Sequence, residues 1–334
     1  MPRYIVAAIT ALMLSAVFGQ AAAETGPIRK AIQGIFGRQA PAPAPAAQSQ
    51  TGLEAVTMTY QGIERSYYVH VPAALVGRSG NPAVVVFHGG QGSGTNAASA
   101  SNMAAAGDQI GFVAIFPNSL ESQWNDGRAT TRSNVDDVGF VRAMIADAGA
   151  RYGVAAGRVY AAGVSNGGLF TQRLACEAAD AFSGFGVIVA GLPSDLQAGC
   201  APSRAVPMIF FNGTTDRMMP FGGGEIKSSK LLGLGAGGKV LSRDATKAFW
   251  TEADGCTQSS GTKALPDSTA DGTTVQSEEF SGCRSGVALR FYTITGGGHN
   301  WPGSATENSR MAGNVSHDIS ATQEIVQFFQ RFGL

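Results

Sequence analysis

The chain has 334 residues, of which 44% are hydrophobic and 14% are charged. This balance is typical of a folded protein with a substantial core, and it excludes a chain that is disordered throughout. Lysine plus arginine equals aspartate plus glutamate at 24 each, so the formal net charge is zero. A nucleic-acid partner is not expected, because binding to phosphates needs a positively charged surface.

The first 23 residues have the pattern of a secretory signal peptide. Arg3 gives a short basic start, a mostly apolar run follows from Tyr4 to Phe18, and three alanines at 21–23 supply a cleavage site. The apolar run is too short for a comfortable bilayer span, which disfavours the alternative of a membrane anchor. We expect a mature protein that begins near Glu24, is secreted or periplasmic, and has no stable membrane span.

Residues 24–51 are predicted to form a linker. The segment 39–50 reads QAPAPAPAAQSQ, and alternating proline prevents a helix while leaving little apolar surface to bury. The folded domain is therefore expected to span 52–334.

Beyond residue 52 the hydrophobic pattern alternates between strands and helices. Residues 54–60 and 65–71 predict an antiparallel hairpin. Short apolar runs predict buried strands, and longer segments between them predict helices. The predicted strands are 83–87, 112–116, 159–162, 185–189, 208–211 and 287–293, and the predicted helices are 135–152, 168–178, 243–253 and 319–332. This alternation predicts an α/β fold, with a mostly parallel central sheet and helices on both faces.

The segment 163–167, GVSNG, places a serine in the pattern G-x-S-x-G. A predicted strand leads into it and a predicted helix leads out, as required by the sharp turn that exposes a nucleophilic serine. In a chain with 45 glycines the bare motif can arise by chance. It is this context that makes Ser165 the predicted nucleophile.

A serine hydroxyl needs a general base, and in such a fold the chain order is nucleophile, acid, histidine. Two of the four histidines, His299 and His317, follow Ser165. His299 lies in GGGHNWPG, a glycine-rich loop after the last predicted strand, and is the predicted base; His317 opens the last helix and is the alternative. Asp216 follows the strand MIFF in NGTTD and is the predicted acid, with Asp195 as its rival.

Acyl transfer also needs backbone N–H groups that stabilise the developing oxyanion. One is predicted from Asn166, directly after the nucleophile, and the other from Gly90 or Gln91 in the loop after the first buried strand. Trp124 and Trp301 are the aromatic candidates for holding substrate, with core packing as the alternative.

The chain has four cysteines, an even number that predicts disulfides in an exported protein. Three connectivities are possible, and we expect Cys176–Cys200 and Cys256–Cys283 because each closes a local loop. The cysteines form no C-x-x-C pair and have no histidine at ligand spacing, so no metal site is expected. Acyl transfer by a serine likewise needs no cofactor.

Taken together, these motifs resemble the secreted polyhydroxybutyrate depolymerase/feruloyl esterase group of carbohydrate esterase family 1. The resemblance covers about 60–334 and rests on FHGG, DDVGF at 136–140, GVSNGG, NGTTD and GGGHNWPG, with similar cysteine positions. It implies an α/β-hydrolase fold and a Ser-His-Asp esterase that acts on hydroxyacid, acetyl or hydroxycinnamoyl esters. Many members of the group have Cys-Thr-Gln where this chain has Gly-Gln-Gly at 90–92. The two aspartates of DDVGF are expected to act structurally, in the first turn of a helix.

The predicted function is a secreted serine esterase that works through an acyl-enzyme, of the polyhydroxybutyrate (oligomer) depolymerase type. No separate C-terminal substrate-binding domain is seen, which favours soluble oligomers or small aryl esters over a crystalline polymer. A feruloyl or acetylxylan esterase acting on plant cell-wall esters is the first alternative. A lipase or peptidase is another, although no long apolar lid is seen. A non-catalytic binding protein on the same scaffold is the alternative of another class, and it predicts a broken triad.

Overall fold

The computed structural model describes residues 52–131, 134–227, 237–305 and 312–334. All of them belong to the unit Gln48–Leu334. The predicted signal peptide, 1–23, and the whole of the predicted linker, 24–51, lie outside the described residues. Within the described ranges, no helix is both long and apolar enough to cross a membrane.

The secondary structure follows the predicted alternation. The strands are β1 (Glu54–Tyr60), β2 (Ile63–His70), β3 (Asn81–Phe87), β4 (Val113–Pro117), β5 (Val154–Val164), β6 (Gly184–Ile188), β7 (Met208–Gly213), β8 (Gly224–Glu225), β9 (Lys239–Val240), β10 (Gln258–Ser259), β11 (Lys263–Ala264), β12 (Thr274–Ser281) and β13 (Leu289–Thr295). The helices are α1 (Gly94–Ser101), α2 (Met103–Ile110), α3 (Asp137–Tyr152), α4 (Asn166–Glu177), α5 (Ser194–Gln197), α6 (Arg243–Ala253) and α7 (Ala321–Gln330). Most predicted elements are confirmed, with ends that differ by a few residues.

The central sheet has the strand order β1-β2-β4-β3-β5-β6-β7-β13-β12-β10. Strands β4, β3, β5, β6, β7 and β13 run parallel to one another, and antiparallel pairs flank them on both sides. Every residue of β3, β4, β6 and β7 is buried, which explains their continuous apolar sequences. This is the predicted α/β architecture, and it brings the carboxyl ends of the parallel strands to one edge.

Three of the longer elements were absent from the sequence prediction, as were the short helix α5 and the two-residue strands β8–β11. The helices α1 and α2 read GTNAASAS and MAAAGDQI, which are rich in small residues and lack a clear apolar stripe. Strand β12 reads TVQSEEFS and is mostly half-buried. An antiparallel strand near the side of a sheet can keep polar side chains partly in water, so its sequence carries little hydrophobic signal.

The two predicted disulfides are confirmed. Cys176, in the last turn of α4, is bonded to Cys200 across 24 residues, and Cys256 is bonded to Cys283 across 27 residues. On the loop-entropy account each would stabilise the fold by about 3 kcal/mol.

Candidate active site

Ser165 lies at the sharp turn between β5 and α4. Its backbone has φ 58° and ψ −122°, a conformation that costs a non-glycine residue about 1–3 kcal/mol. The flanking glycines are required by close packing, because a Cβ at Gly163 would collide with the carbonyl of Gly167, and one at Gly167 with the carbonyl of Phe87. The turn is therefore the strained elbow that the sequence motif predicts.

Asp216 and His299 are hydrogen bonded to each other. Nδ1 of His299 lies 2.7 Å from Oδ2 of Asp216, and their side chains are 6% and 3% exposed. The other carboxylate oxygen accepts the backbone N–H groups of Met218 and Met219, each at 2.8 Å. With Nδ1 on a fixed carboxylate, Nε2 is the imidazole nitrogen left to exchange protons with a reacting group.

The loops that carry this pair pack closely against each other. The hydroxyl of Thr215 donates to the carbonyls of Gly296 and Gly297, both at 2.9 Å. The amide of Asn300 donates to three successive backbone carbonyls at 312–314, at 3.1–3.2 Å. A Cβ at Gly298 would collide with one of those carbonyls. Glycine and asparagine of GGGHN thus hold the imidazole in place.

Ser165 and His299 line the same pocket, whose volume is about 80 Å³. Ser165 follows β5, Asp216 follows β7 and His299 follows β13, so the parallel sheet brings all three to its carboxyl edge. Much of the wall is apolar, formed by Leu169, Met218, Met219 and Ile226. A larger cavity of about 390 Å³ lies elsewhere, next to Trp301 and α2, and neither Ser165 nor His299 lines it.

Asn166 is the first residue of α4, so the helix itself does not use its backbone N–H. Its side chain is buried and fixed at both ends. The amide oxygen accepts the backbone N–H of Trp124 at 2.8 Å, and the amide nitrogen donates to the carboxylate of Asp126 at 2.6 Å. The predicted oxyanion donor is therefore held by a buried network.

Gln91 was one of the two candidates for the second oxyanion donor, and this prediction is wrong. Its backbone N–H donates to the carbonyl of Ser122 at 2.8 Å, so it is already used within the fold. Gly90 lines the pocket with Ser165. Gly90 is therefore the remaining candidate.

Neither tryptophan has the position expected of a substrate-binding ring. Trp124 is fully buried, stacks on Phe170 with ring centres 5.0 Å apart, and donates its indole N–H to the carbonyl of His88. Trp301 is 4% exposed and donates to the hydroxyl of Thr322 at 3.0 Å. Neither is among the described residues that line the pocket of Ser165. The alternative of core packing applies to both.

The rival residues lie outside the pocket. Asp195 accepts the backbone N–H of Ala129 at 2.7 Å, and His317 is exposed and bonds Asp271 through its backbone N–H. His88 contacts the backbone at Gly89 through Nδ1 and accepts the N–H of Ser119 on Nε2. Burial lowers the pKa of His88, in keeping with a neutral structural residue.

The loop on either side of Trp124 carries functional candidates that the sequence pattern did not predict. Gln123 and Arg128 line the pocket, and Asp126 is the centre of the network that holds Asn166. Asp126 accepts from Asn166, from the Arg128 guanidinium, and from the hydroxyl of Thr131 at 2.6 Å. The signal available was the charged segment NDGR next to a tryptophan, in a chain with few charges.

The motif DDVGF anchors that same loop. Asp136 caps α3 by accepting the backbone N–H of Gly139 at 2.8 Å, as its first-turn position predicts. Asp137 instead forms a buried ion pair with Arg65 at 2.7 Å and accepts the backbone N–H of Asn125 at 2.8 Å. Burial raises the pKa of Asp137. Both acids act structurally, as predicted.

No family model matches the chain, but curated relatives do. It is 27% identical over 311 residues to NocK of Nocardia uniformis subsp. tsuyamanensis, a proposed esterase, covering 86% of this chain and 90% of that one. It is 28% identical over 243 residues to feruloyl esterase B of Piromyces equi, covering 70% of this chain and 42% of that enzyme. A feruloyl esterase B of Neurospora crassa is 31% identical over 140 residues, with 40% and 46% covered. The chain spans less than half the length of these two feruloyl esterases.

Solved structures of esterases share the fold. The acetyl xylan esterase of Aspergillus awamori has a TM-score of 0.52 at 18% identity, over 74% of this chain and 94% of that one. Esterase 2 of Thermogutta terrifontis has a TM-score of 0.51 at 15% identity, over 84% and 95%. The chain therefore has the α/β-hydrolase fold, and its sequence is similar to those of esterases. Within that class, the feruloyl part of the predicted resemblance is confirmed by its sequence relatives.

Proposed function

We propose that the protein is a serine esterase that hydrolyses carboxylic esters through an acyl-enzyme on Ser165. The observation that carries the proposal is the 2.7 Å hydrogen bond between Asp216 and His299, made beside the pocket that His299 and the strained Ser165 both line. Along the chain the nucleophile comes first, the acid second and the histidine last, which is the order found in α/β-hydrolases.

In this mechanism His299 removes the proton of the Ser165 hydroxyl as its oxygen attacks the ester carbonyl carbon. The N–H groups of Asn166 and Gly90 stabilise the negative oxygen of the tetrahedral intermediate. His299 then protonates the leaving alcohol, and the acyl group stays on the serine. A water molecule, deprotonated by His299, attacks the acyl-enzyme and releases the acid. Asp216 holds the imidazole tautomer and stabilises the imidazolium.

The proposed substrates are soluble 3-hydroxybutyrate oligomers, on the motifs shared with the depolymerase group. Feruloyl or acetylxylan esters of plant cell walls are the second candidate, and the similarity to feruloyl esterase B supports it. The apolar side chains of the pocket suit an acyl chain or an aryl ring in either case. Two disulfides support a secreted or periplasmic site of action.

The test is a hydrolysis panel on the purified mature protein. Methyl ferulate, acetylated xylan, 3-hydroxybutyrate oligomers and a short p-nitrophenyl ester are compared for wild type and Ser165→Ala. Ser99→Ala, an exposed serine of α1, is the matched control. We expect activity that Ser165→Ala removes and Ser99→Ala retains, and the preferred ester chooses between the two candidates. Equal activity in Ser165→Ala would exclude Ser165 as the nucleophile, and no activity on any ester would favour a non-catalytic binding protein.

A further inference from the structure

The pocket beside Ser165 has an uneven distribution of charge. Arg128 and Lys227 both line it, and no acidic side chain of the described residues does. The carboxylate of Asp216 lies behind His299, bonded to Nδ1. An ester group is neutral, so neither cation is needed for the chemistry of the scissile bond itself.

Arg128 is 2% exposed and its guanidinium is held in one orientation. Nε lies 3.0 Å from both carboxylate oxygens of Asp126, Nη2 lies 2.6 Å from one of them, and Nη1 donates to the carbonyl of Gly237. Each terminal nitrogen carries two hydrogens. Among the described residues each of these nitrogens has one acceptor, so its second hydrogen can be donated to a bound molecule or water.

Lys227 supplies the net positive charge, because Asp126 neutralises most of that on Arg128. The backbone N–H of Lys227 donates to the carbonyl of Met218 at 3.0 Å. Met218 itself bonds the carboxylate of Asp216. Lys227 is thus tied by the backbone to the loop that carries the proposed catalytic acid. It lines the pocket and is also exposed to solvent.

We propose that this pocket selects esters that also carry a carboxylate, in their acid part or in their alcohol part. A guanidinium with free hydrogens on both terminal nitrogens offers directional donors to a carboxylate, and a nearby ammonium adds attraction. The apolar side chains then hold the carbon chain between the two groups. The inference rests on the proposed function and narrows it to anionic esters.

The test compares two pairs of esters of matched size. The alcohol-side pair is 3-acetoxybutyrate and its methyl ester, followed by acetate release. The acid-side pair is monoethyl glutarate and ethyl pentanoate, followed by ethanol release. We expect kcat/KM for the anionic member of at least one pair to be about tenfold higher, the scale of a hydrogen bond to a charged group. Raising the ionic strength should reduce the preference, because salt screens the ammonium.

Two substitutions of Lys227 test how much its charge contributes to the preference for anionic esters. Lys227→Gln should lower the anionic-to-neutral ratio of kcat/KM by about threefold, as for an exposed charge pair. Lys227→Glu should lower it further, because the charge is reversed. Lys263→Gln, an exposed lysine of β11, is the matched control and should leave the ratio unchanged.

The result also separates this inference from the proposed function. Hydrolysis of both members without an anionic preference would overturn the inference and leave the esterase standing. A preference that both Lys227 variants retain would likewise overturn it. Calorimetry with Ser165→Ala measures the affinity for each ester without turnover. Equal affinity for the charged and neutral members would overturn the inference, whether or not the wild-type protein is active.

Discussion

The buried aspartates around the proposed active site differ from Asp254, which lies beside the second disulfide. Asp126, Asp137 and Asp216 each have hydrogen-bond donors on both carboxylate oxygens. Asp254 is also fully buried, but only one of its oxygens accepts a bond, from the N–H of Val206 at 3.2 Å. Its other oxygen has no partner among the described residues.

The difference teaches what burial does to a carboxylate. A buried charge is tolerated when hydrogen bonds and an opposite charge replace water, and otherwise the neutral form is favoured. The acids near the site are held as fixed acceptors that orient a histidine, an asparagine or a loop. Asp254 accepts one hydrogen bond, from a backbone N–H, and burial raises its pKa to about 7. The predictions below test whether this contrast holds in function and in stability.

The largest effect is expected for Asp216→Asn. The amide keeps the size of the side chain but can hold His299 in the wrong tautomer and cannot stabilise the imidazolium. We expect kcat to fall by about 10⁴-fold, with a much smaller change in KM. Steady-state kinetics on a p-nitrophenyl ester measures this, with Asp108→Asn, an exposed acid of α2, as control. A loss of less than tenfold would exclude Asp216 as the orienting acid.

A smaller effect is expected for Asp126→Asn. Asp126 is a positioning residue, because it holds the side chain of Asn166, whose backbone N–H is the proposed oxyanion donor. We expect kcat to fall by about 10–100-fold while KM changes little, since only the transition state carries the oxyanion. The variant should also unfold more easily, because Arg128 loses its partner in the interior.

The split between kcat and KM decides the role of Asp126. A residue that served stability alone would lower the melting temperature and leave kcat of the folded protein unchanged at low temperature. That outcome would contradict a positioning role. Thermal unfolding of the same preparation shows what fraction of the enzyme is folded during the assay.

Sequence pattern predicts the parts of the site that follow buried strands. Ser165 directly follows β5, and Asp216 and His299 follow β7 and β13 within four residues, so the parallel sheet determines where they meet. The disulfide pairs were also predictable, because each closes a short loop. Asp126 was not, because its role depends on a tertiary contact with Asn166, 40 residues later. Trp124 was misjudged since sequence cannot distinguish a ring that lines a pocket from one packed beneath it.

The smallest effect is expected for Asp254→Asn, which changes stability and not activity. The pKa of the Asp254 carboxyl is about 4 in the unfolded chain and about 7 in the folded chain. Between pH 4 and pH 7 the carboxyl therefore binds more protons in the folded state. Wild type therefore loses stability as the pH rises from 4 to 7, and the full penalty is present above 7. The amide does not ionise, so stability of the variant relative to wild type should rise by on the order of 3 kcal/mol from pH 4.5 to pH 8. Urea unfolding with intact disulfides at both pH values measures it, with the exposed Asp267→Asn as control. A difference between variant and wild type that stays constant with pH would show that the Asp254 carboxyl ionises as easily in the folded chain as in the unfolded one.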